Sequence, residues 1–163
     1  MEDAISVKPV KWQYRGNLWL STLGLGMRIH HTKNKGDLGV LKAQADLAEQ
    51  GYMVLLPLTE HHAFDLVIYK DGQFKRVQVK YRSAYRGRLE IHFRSTWSDQ
   101  HGMHVVDVNK AEIDLYCVYC PDTNECYYFD PAQFNRSISL RVDMPKNSQA
   151  SGIHFATDYR RVP

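Results

Sequence analysis

The stretch Ala63-Phe64-Asp65-Leu66-Val67-Ile68-Tyr69, then Asp71-Gly72, then Val77-Gln78-Val79-Lys80 decides how this chain reads. Residues 63–69 are built for burial except for Asp65. A buried carboxylate is costly unless it is paired or holds a metal. Asp71-Gly72 is a two-residue hairpin signal, because both turn positions need positive φ. If those two residues form the loop, Lys70 faces Gln73, Tyr69 faces Phe74, Val67 faces Arg76 and Asp65 faces Gln78. Lys80 lies two residues beyond Gln78 and shares its face. Asp65, Gln78 and Lys80 are therefore expected on one side of the hairpin, with Cβ separations of roughly 5–8 Å.

That trio has two readings. Asp65 and the Gln78 side-chain oxygen, helped by the Val79 carbonyl, can hold a hard divalent cation. Lys80 can then position a water or neutralise charge on a phosphate. The alternative is a structural Asp65–Lys80 ion pair inside a small sheet.

Outward from the hairpin, residues 36–50 predict a helix, with Leu38, Leu41, Ala45 and Ala48 as its apolar stripe and Gly51 as its stop. Residues 52–58 predict a short buried strand ending at Pro57. Further strands are expected over 89–94, over 115–120 and 126–129 as a hairpin, and over 138–142. One helix followed by mostly antiparallel strands is an α+β or mixed α/β order. Residues 1–31 show no sustained period and read as an N-terminal extension, leaving 32–163 as the folded domain.

The chain has 163 residues, 44% apolar and 24% charged, the balance of an ordinary globular protein. No run approaches the roughly 18 apolar residues of a membrane span. The opening Met1-Glu2-Asp3 lacks the basic-then-apolar pattern of an export signal. Three cysteines, an odd count, suit a reduced cytoplasmic protein better than a disulfide framework. Cys117-x-x-Cys120 is a poor zinc pair, because residues three apart on a strand face opposite ways. Small buried or half-buried thiols are the expectation; Cys120 and Cys126 flank a turn, and an oxidation-sensitive pair there is the other reading. The histidines (His30-His31, His61-His62, His101 and His104) form no metal spacing.

Net charge is +3, unevenly spread. Residues 70–94 hold eight basic and two acidic side chains, whereas residues 96–135 hold one basic and seven acidic. A basic patch beside an acidic region suits a polyanion held on one face; solvated strands with basic outward residues are the other reading. In the basic loop, Arg82, Arg86 and Arg88 alternate with Tyr81 and Tyr85, a pattern that grips phosphates and stacks on sugars or bases.

Several segments together resemble the PD-(D/E)XK endonuclease superfamily. They are Lys33-Asn34-Lys35-Gly36-Asp37-Leu38-Gly39, Gln50-Gly51-Tyr52, Phe64-Asp65-Leu66 and Gln78-Val79-Lys80. Within it, the chain is most similar to the branch linked to group I introns, in which Gln replaces the second acid to give D…QxK. Residues 114–121, Tyr127-Tyr128, Leu140-Arg141 and Pro145-Lys146-Asn147-Ser148-Gln149 carry the likeness on, so that it spans about residues 33–160.

The resemblance implies a restriction-endonuclease-like core, a mixed sheet flanked by helices. It implies a metal-dependent DNA endonuclease of homing type that cuts duplex DNA with Mg²⁺ or Mn²⁺. Asp65, Gln78 and Lys80 would be catalytic, with Asp65, Gln78, Val79 and Asp37 around the metal. Lys35, Arg82, Arg86, Arg88, Lys146, Asn147 and Gln149 would contact DNA. Cutting both strands implies a homo-oligomer, a dimer or tetramer. The family's first-helix glutamate is Val40 here, which leaves a catalytically weakened or inactive DNA-binding nuclease fold as the alternative. A small binding domain unrelated to DNA is the third reading.

Overall fold

The computed structural model describes residues 31–59, 61–100, 102–143 and 152–163, without the side chains of 31 and 95–98. Helix α1 (His31–Glu49) leads into β1 (Met53–Leu55), β2 (Leu66–Lys70) and β3 (Gln73–Tyr81). Then come β4 (Arg88–His92), β5 (Arg94–Asp99), β6 (Gly102–Asp107), β7 (Leu115–Cys120), β8 (Glu125–Phe129), β9 (Ser137–Arg141) and β10 (His154–Phe155). Residues 144–151, and with them Lys146, Asn147 and Gln149, lie outside the described residues.

Asp71 and Gly72 both take left-handed backbone, φ +51° and +81°, as a primed hairpin turn requires. The register follows: Lys70 faces Gln73, Tyr69 faces Phe74, Val67 faces Arg76 and Leu66 faces Val77. The five-stranded sheet runs β1-β2-β3-β7-β8, with β3 and β7 parallel and the other pairs antiparallel. Arg76 fixes the start of the parallel pair. Its backbone N–H and Nε donate to Asp114 Oδ2 at 2.7 and 2.9 Å, and its Nη2 donates to Oδ1 at 2.8 Å.

β7 is the central element, and all six of its residues are buried. Leu115, Cys117 and Tyr119 pack under α1, while Tyr116, Val118 and Cys120 pack against a second sheet, β10-β9-β4. A strand covered on both faces reads as a continuous apolar run, which is what residues 115–120 are. The result is the expected mixed α+β fold, with one helix on one face of the main sheet and a small sheet on the other.

Four expectations change. The α1 stripe facing the sheet is Gly39, Val40, Ala43 and Leu47; Leu41 is 62% exposed, and Leu38, Ala45 and Ala48 also face out. The sheet beneath α1 carries Tyr119 and Tyr128, so the helix meets it with the small Gly39 and Ala43 and with one leucine, Leu47, while Leu38 and Leu41 stay outside. Residues 52–58 are not a buried strand: only Met53–Leu55 pair, at the sheet edge, and Leu58 is fully exposed. Pro57 cannot donate to a ladder, which ends the strand early. The β5–β6 hairpin follows no apolar alternation and was not expected. Finally, Cys126 lies in the helix-side core and Cys120 in the opposite one, so those two do not meet. Cys117 is the thiol beside Cys126; burial, then that neighbour, pushes its pKa up, and all three cysteines are free.

Candidate functional site

Asp65 sits one residue before β2, where its N–H still donates to the Val77 carbonyl at 2.9 Å. Its side chain bends across to β3. Oδ2 accepts the Val79 N–H at 2.7 Å and a hydrogen bond from Gln78 Nε2. Oδ1 accepts none among the described residues. Gln78 and Lys80 project from the β3 face opposite to Val77 and Val79, which pack under α1. All three of Asp65, Gln78 and Lys80 are half-buried. The hairpin thus brings them together, as the turn arithmetic expects.

Burial dominates their electrostatics. It raises the Asp65 pKa, against the lowering pull of the Val79 N–H, the Lys80 charge and the Gln78 amide. It lowers the Lys80 pKa, against the pull of Asp65, with Arg82 adding to the depression. Both charges are thus held in surroundings that disfavour them, a common property of functional sites.

An open cleft of about 510 Å³ borders this corner, lined by Lys33, Asp37, Val40, His62, Phe64, Asp65 and Val79 among others. Asp37 and Val40 therefore reach the same cleft as Asp65 from the helix side. His62 stacks on Phe64 with ring centroids 5.1 Å apart. No three His, Cys, Asp or Glu side chains among the described residues are grouped to hold a metal. The oxygen donors are the free Asp65 Oδ1, the Gln78 amide and the Val79 carbonyl. That low-charge set fits a small hard cation that keeps several waters, such as Mg²⁺. One detail differs from expectation: the Gln78 nitrogen, not its oxygen, faces Asp65. A half-turn of the amide exchanges the two.

Tyr116 is the neighbour the sequence reading missed. It stands directly opposite Gln78 across the parallel β3–β7 pair. Its side chain is fully buried, and among the described residues its hydroxyl has no hydrogen-bond partner. Burial and then the Asp65 charge push its pKa up to about 12.

The expected nucleic-acid contacts follow the site along the chain. Lys35 is exposed over the Tyr81 ring, 5.8 Å from its centroid. Arg82, Arg86 and Arg88 are exposed, and Arg86 lies 5.2 Å from the Tyr85 ring centroid. The Tyr85–Arg88 turn closes through Arg86 (φ +49°) and Gly87 (φ +72°). Arg88 is placed directly opposite Arg141 on β9. Like charges facing across a sheet are unfavourable. Among the described residues no helix is long and apolar enough to cross a membrane.

Comparison with known proteins gives one family and one fold. The PD-(D/E)XK endonuclease family profile matches residues 30–162. The structure of the bacterial homing endonuclease I-Ssp6803I superposes with a TM-score of 0.63 at 23% identity, over 79% of this chain and 88% of that one. No curated protein sequence matches.

Proposed function

This chain belongs to the PD-(D/E)XK endonuclease family, and from that premise we propose that it is a metal-dependent endonuclease hydrolysing phosphodiester bonds in duplex DNA. The observation that carries the reading is the Asp65 carboxylate, anchored through Oδ2 to β3, with Oδ1 left free among the described residues, beside Gln78 and Lys80. The intron-associated, homing type is our assignment from the D…QxK pattern, and the similarity of fold to a homing endonuclease accords with it.

Asp65, the Gln78 amide oxygen and the Val79 carbonyl would hold Mg²⁺ or Mn²⁺, with Asp37 reaching it through water from the helix. The cation supplies an activated water and charge neutralisation at the phosphate. Lys80, partly desolvated beside Asp65, orients that water and offsets charge building on the phosphoryl oxygens. Lys35, Arg82, Arg86 and Arg88 bind the backbone of the duplex and fix its position. Lys146, Asn147 and Gln149 stay assigned to DNA on the sequence alone. One chain carries one such site, so cutting both strands calls for a dimer or tetramer.

A second reading rests on Val40. An apolar residue stands in the cleft where the family carries a glutamate, and no acidic cluster forms among the described residues. A DNA-binding protein with weakened or lost catalysis fits that observation.

The test incubates the protein with supercoiled plasmid at low salt, with Mg²⁺, Mn²⁺ or EDTA, beside Lys80→Ala. Metal-dependent nicking that is lost in Lys80→Ala is the expected result. Salt-sensitive binding without nicking supports the second reading. Neither binding nor nicking overturns both.

A further inference from the structure

We propose that Tyr116 is a positioning residue for Gln78: its hydroxyl accepts the Gln78 amide nitrogen when the amide oxygen turns toward a bound cation. The inference rests on the metal-dependent endonuclease reading and deepens it.

Three observations carry it. First, the Gln78 nitrogen donates to Asp65, so in this arrangement the amide oxygen is turned away from the carboxylate. Sharing a cation with Asp65 requires the opposite orientation. The half-turn removes the nitrogen from both its acceptors, Asp65 Oδ2 and the Val79 carbonyl 3.4 Å away, and a half-buried amide N–H needs a new one. Second, Tyr116 is the residue in register with Gln78 on the adjacent strand, on the same side of the sheet. Third, its hydroxyl is buried without a partner among the described residues.

Such a group is unfavourable for stability, and Phe would fill the same space without it. The ring is already fixed without help from the hydroxyl. It stacks on Phe129 at 5.7 Å, 11° from parallel, and meets Phe93 edge-on at 5.3 Å. What the hydroxyl adds is an acceptor on the residue in register with the site's one neutral amide, near enough to Asp65 to feel its charge. A neutral amide needs that help more than an acid does, because its nitrogen end must be satisfied whenever its oxygen faces a metal.

Tyr116→Phe tests this, read by thermal-shift titration with Mn²⁺ alone, without DNA. The variant is expected to melt at or above the wild-type temperature in EDTA. Its apparent Mn²⁺ affinity should be roughly three- to tenfold weaker, the loss of one hydrogen bond. In a Gln78→Ala background the same change should have no further effect on Mn²⁺ affinity, since the two residues act as a unit. Wild-type Mn²⁺ affinity in Tyr116→Phe overturns the inference. So does a melting temperature several degrees lower in EDTA, which would make the hydroxyl structural, or an equal weakening in the Gln78→Ala background. A wild-type protein that responds to no divalent metal ends the endonuclease reading and this inference together, and the wild-type titration distinguishes that case.

Discussion

Restoring an acid at position 40 tests how the helix and the hairpin share the site. Val40 is half-buried, packs on the helix-side core and lines the same cleft as Asp37 and Asp65. Burying a valine fully is worth about 1.5–3 kcal/mol, so half-burial is worth roughly 1 kcal/mol. Glutamate recovers a few tenths of that through better helix propensity. It loses about as much to repulsion from Asp37 one turn earlier. Val40→Glu should thus be roughly 1 kcal/mol less stable in EDTA, about 2–4 °C in melting temperature for a domain of this size. With Mn²⁺ the order should reverse. A second carboxylate that tightens binding tenfold contributes about 1.4 kcal/mol at saturating metal, enlarging the Mn²⁺-induced shift by about 3–5 °C. Val40→Gln is the control, with a similar loss of packing and no added charge. Differential scanning fluorimetry over a Mn²⁺ series, with plasmid nicking in parallel, reads both effects. If Val40→Glu shows the wild-type metal shift and no gain in nicking, the helix does not face the cation, and the cleft is not the metal-bearing surface.

Lys80→Met should abolish nicking yet raise the melting temperature at pH 7 in EDTA. Burial lowers the Lys80 pKa, so its charged form weakens the folded state below the folded pKa; that cost fades as pH rises through it toward the unfolded value. The gap between variant and wild type should therefore narrow in thermal melts as pH rises toward the unfolded lysine value of about 10.4. Asp114→Asn should destabilise at neutral pH and flatten the acid limb of the melting curve. Arg76 holds the Asp114 pKa down, so its contribution is present above the unfolded carboxylate pKa of about 3.9 and is lost as pH falls through the lower folded value. An acid limb identical to wild type refutes that role. Arg86→Ala with Arg88→Ala should lessen the slope of log binding constant against log salt by about 0.9 for each phosphate contact removed, measured by fluorescence anisotropy on duplex DNA. An unchanged slope would take both arginines out of the interface.

Local rules made the candidate site's hairpin readable. Asp71-Gly72 fixes a primed turn, the turn fixes the register, and the register puts Gln78 and Lys80 on one face. No long-range information is needed for Asp65 to find them. The helix shows where such reasoning stops. A stripe chosen by hydrophobicity alone selects Leu38 and Leu41, but the surface it must meet belongs to Tyr119 and Tyr128, supplied more than 70 residues later. Those rings fill much of the interface, so α1 contributes Gly39, Ala43 and Leu47 and turns Leu38 and Leu41 outward. The same limit explains the missing neighbour of Gln78. The run 115–120 reads as buried on both sides, which conceals its alternation, and a parallel partner is set by a long crossover rather than a turn. A slip of one residue in that pairing would bring Leu115 or Cys117 to Gln78 in place of Tyr116. The Arg76–Asp114 clamp lies one step from the register pair Val77–Leu115 and holds the strands against such a slip. An ion pair remote from the proposed chemistry therefore decides which side chain stands beside the site's amide.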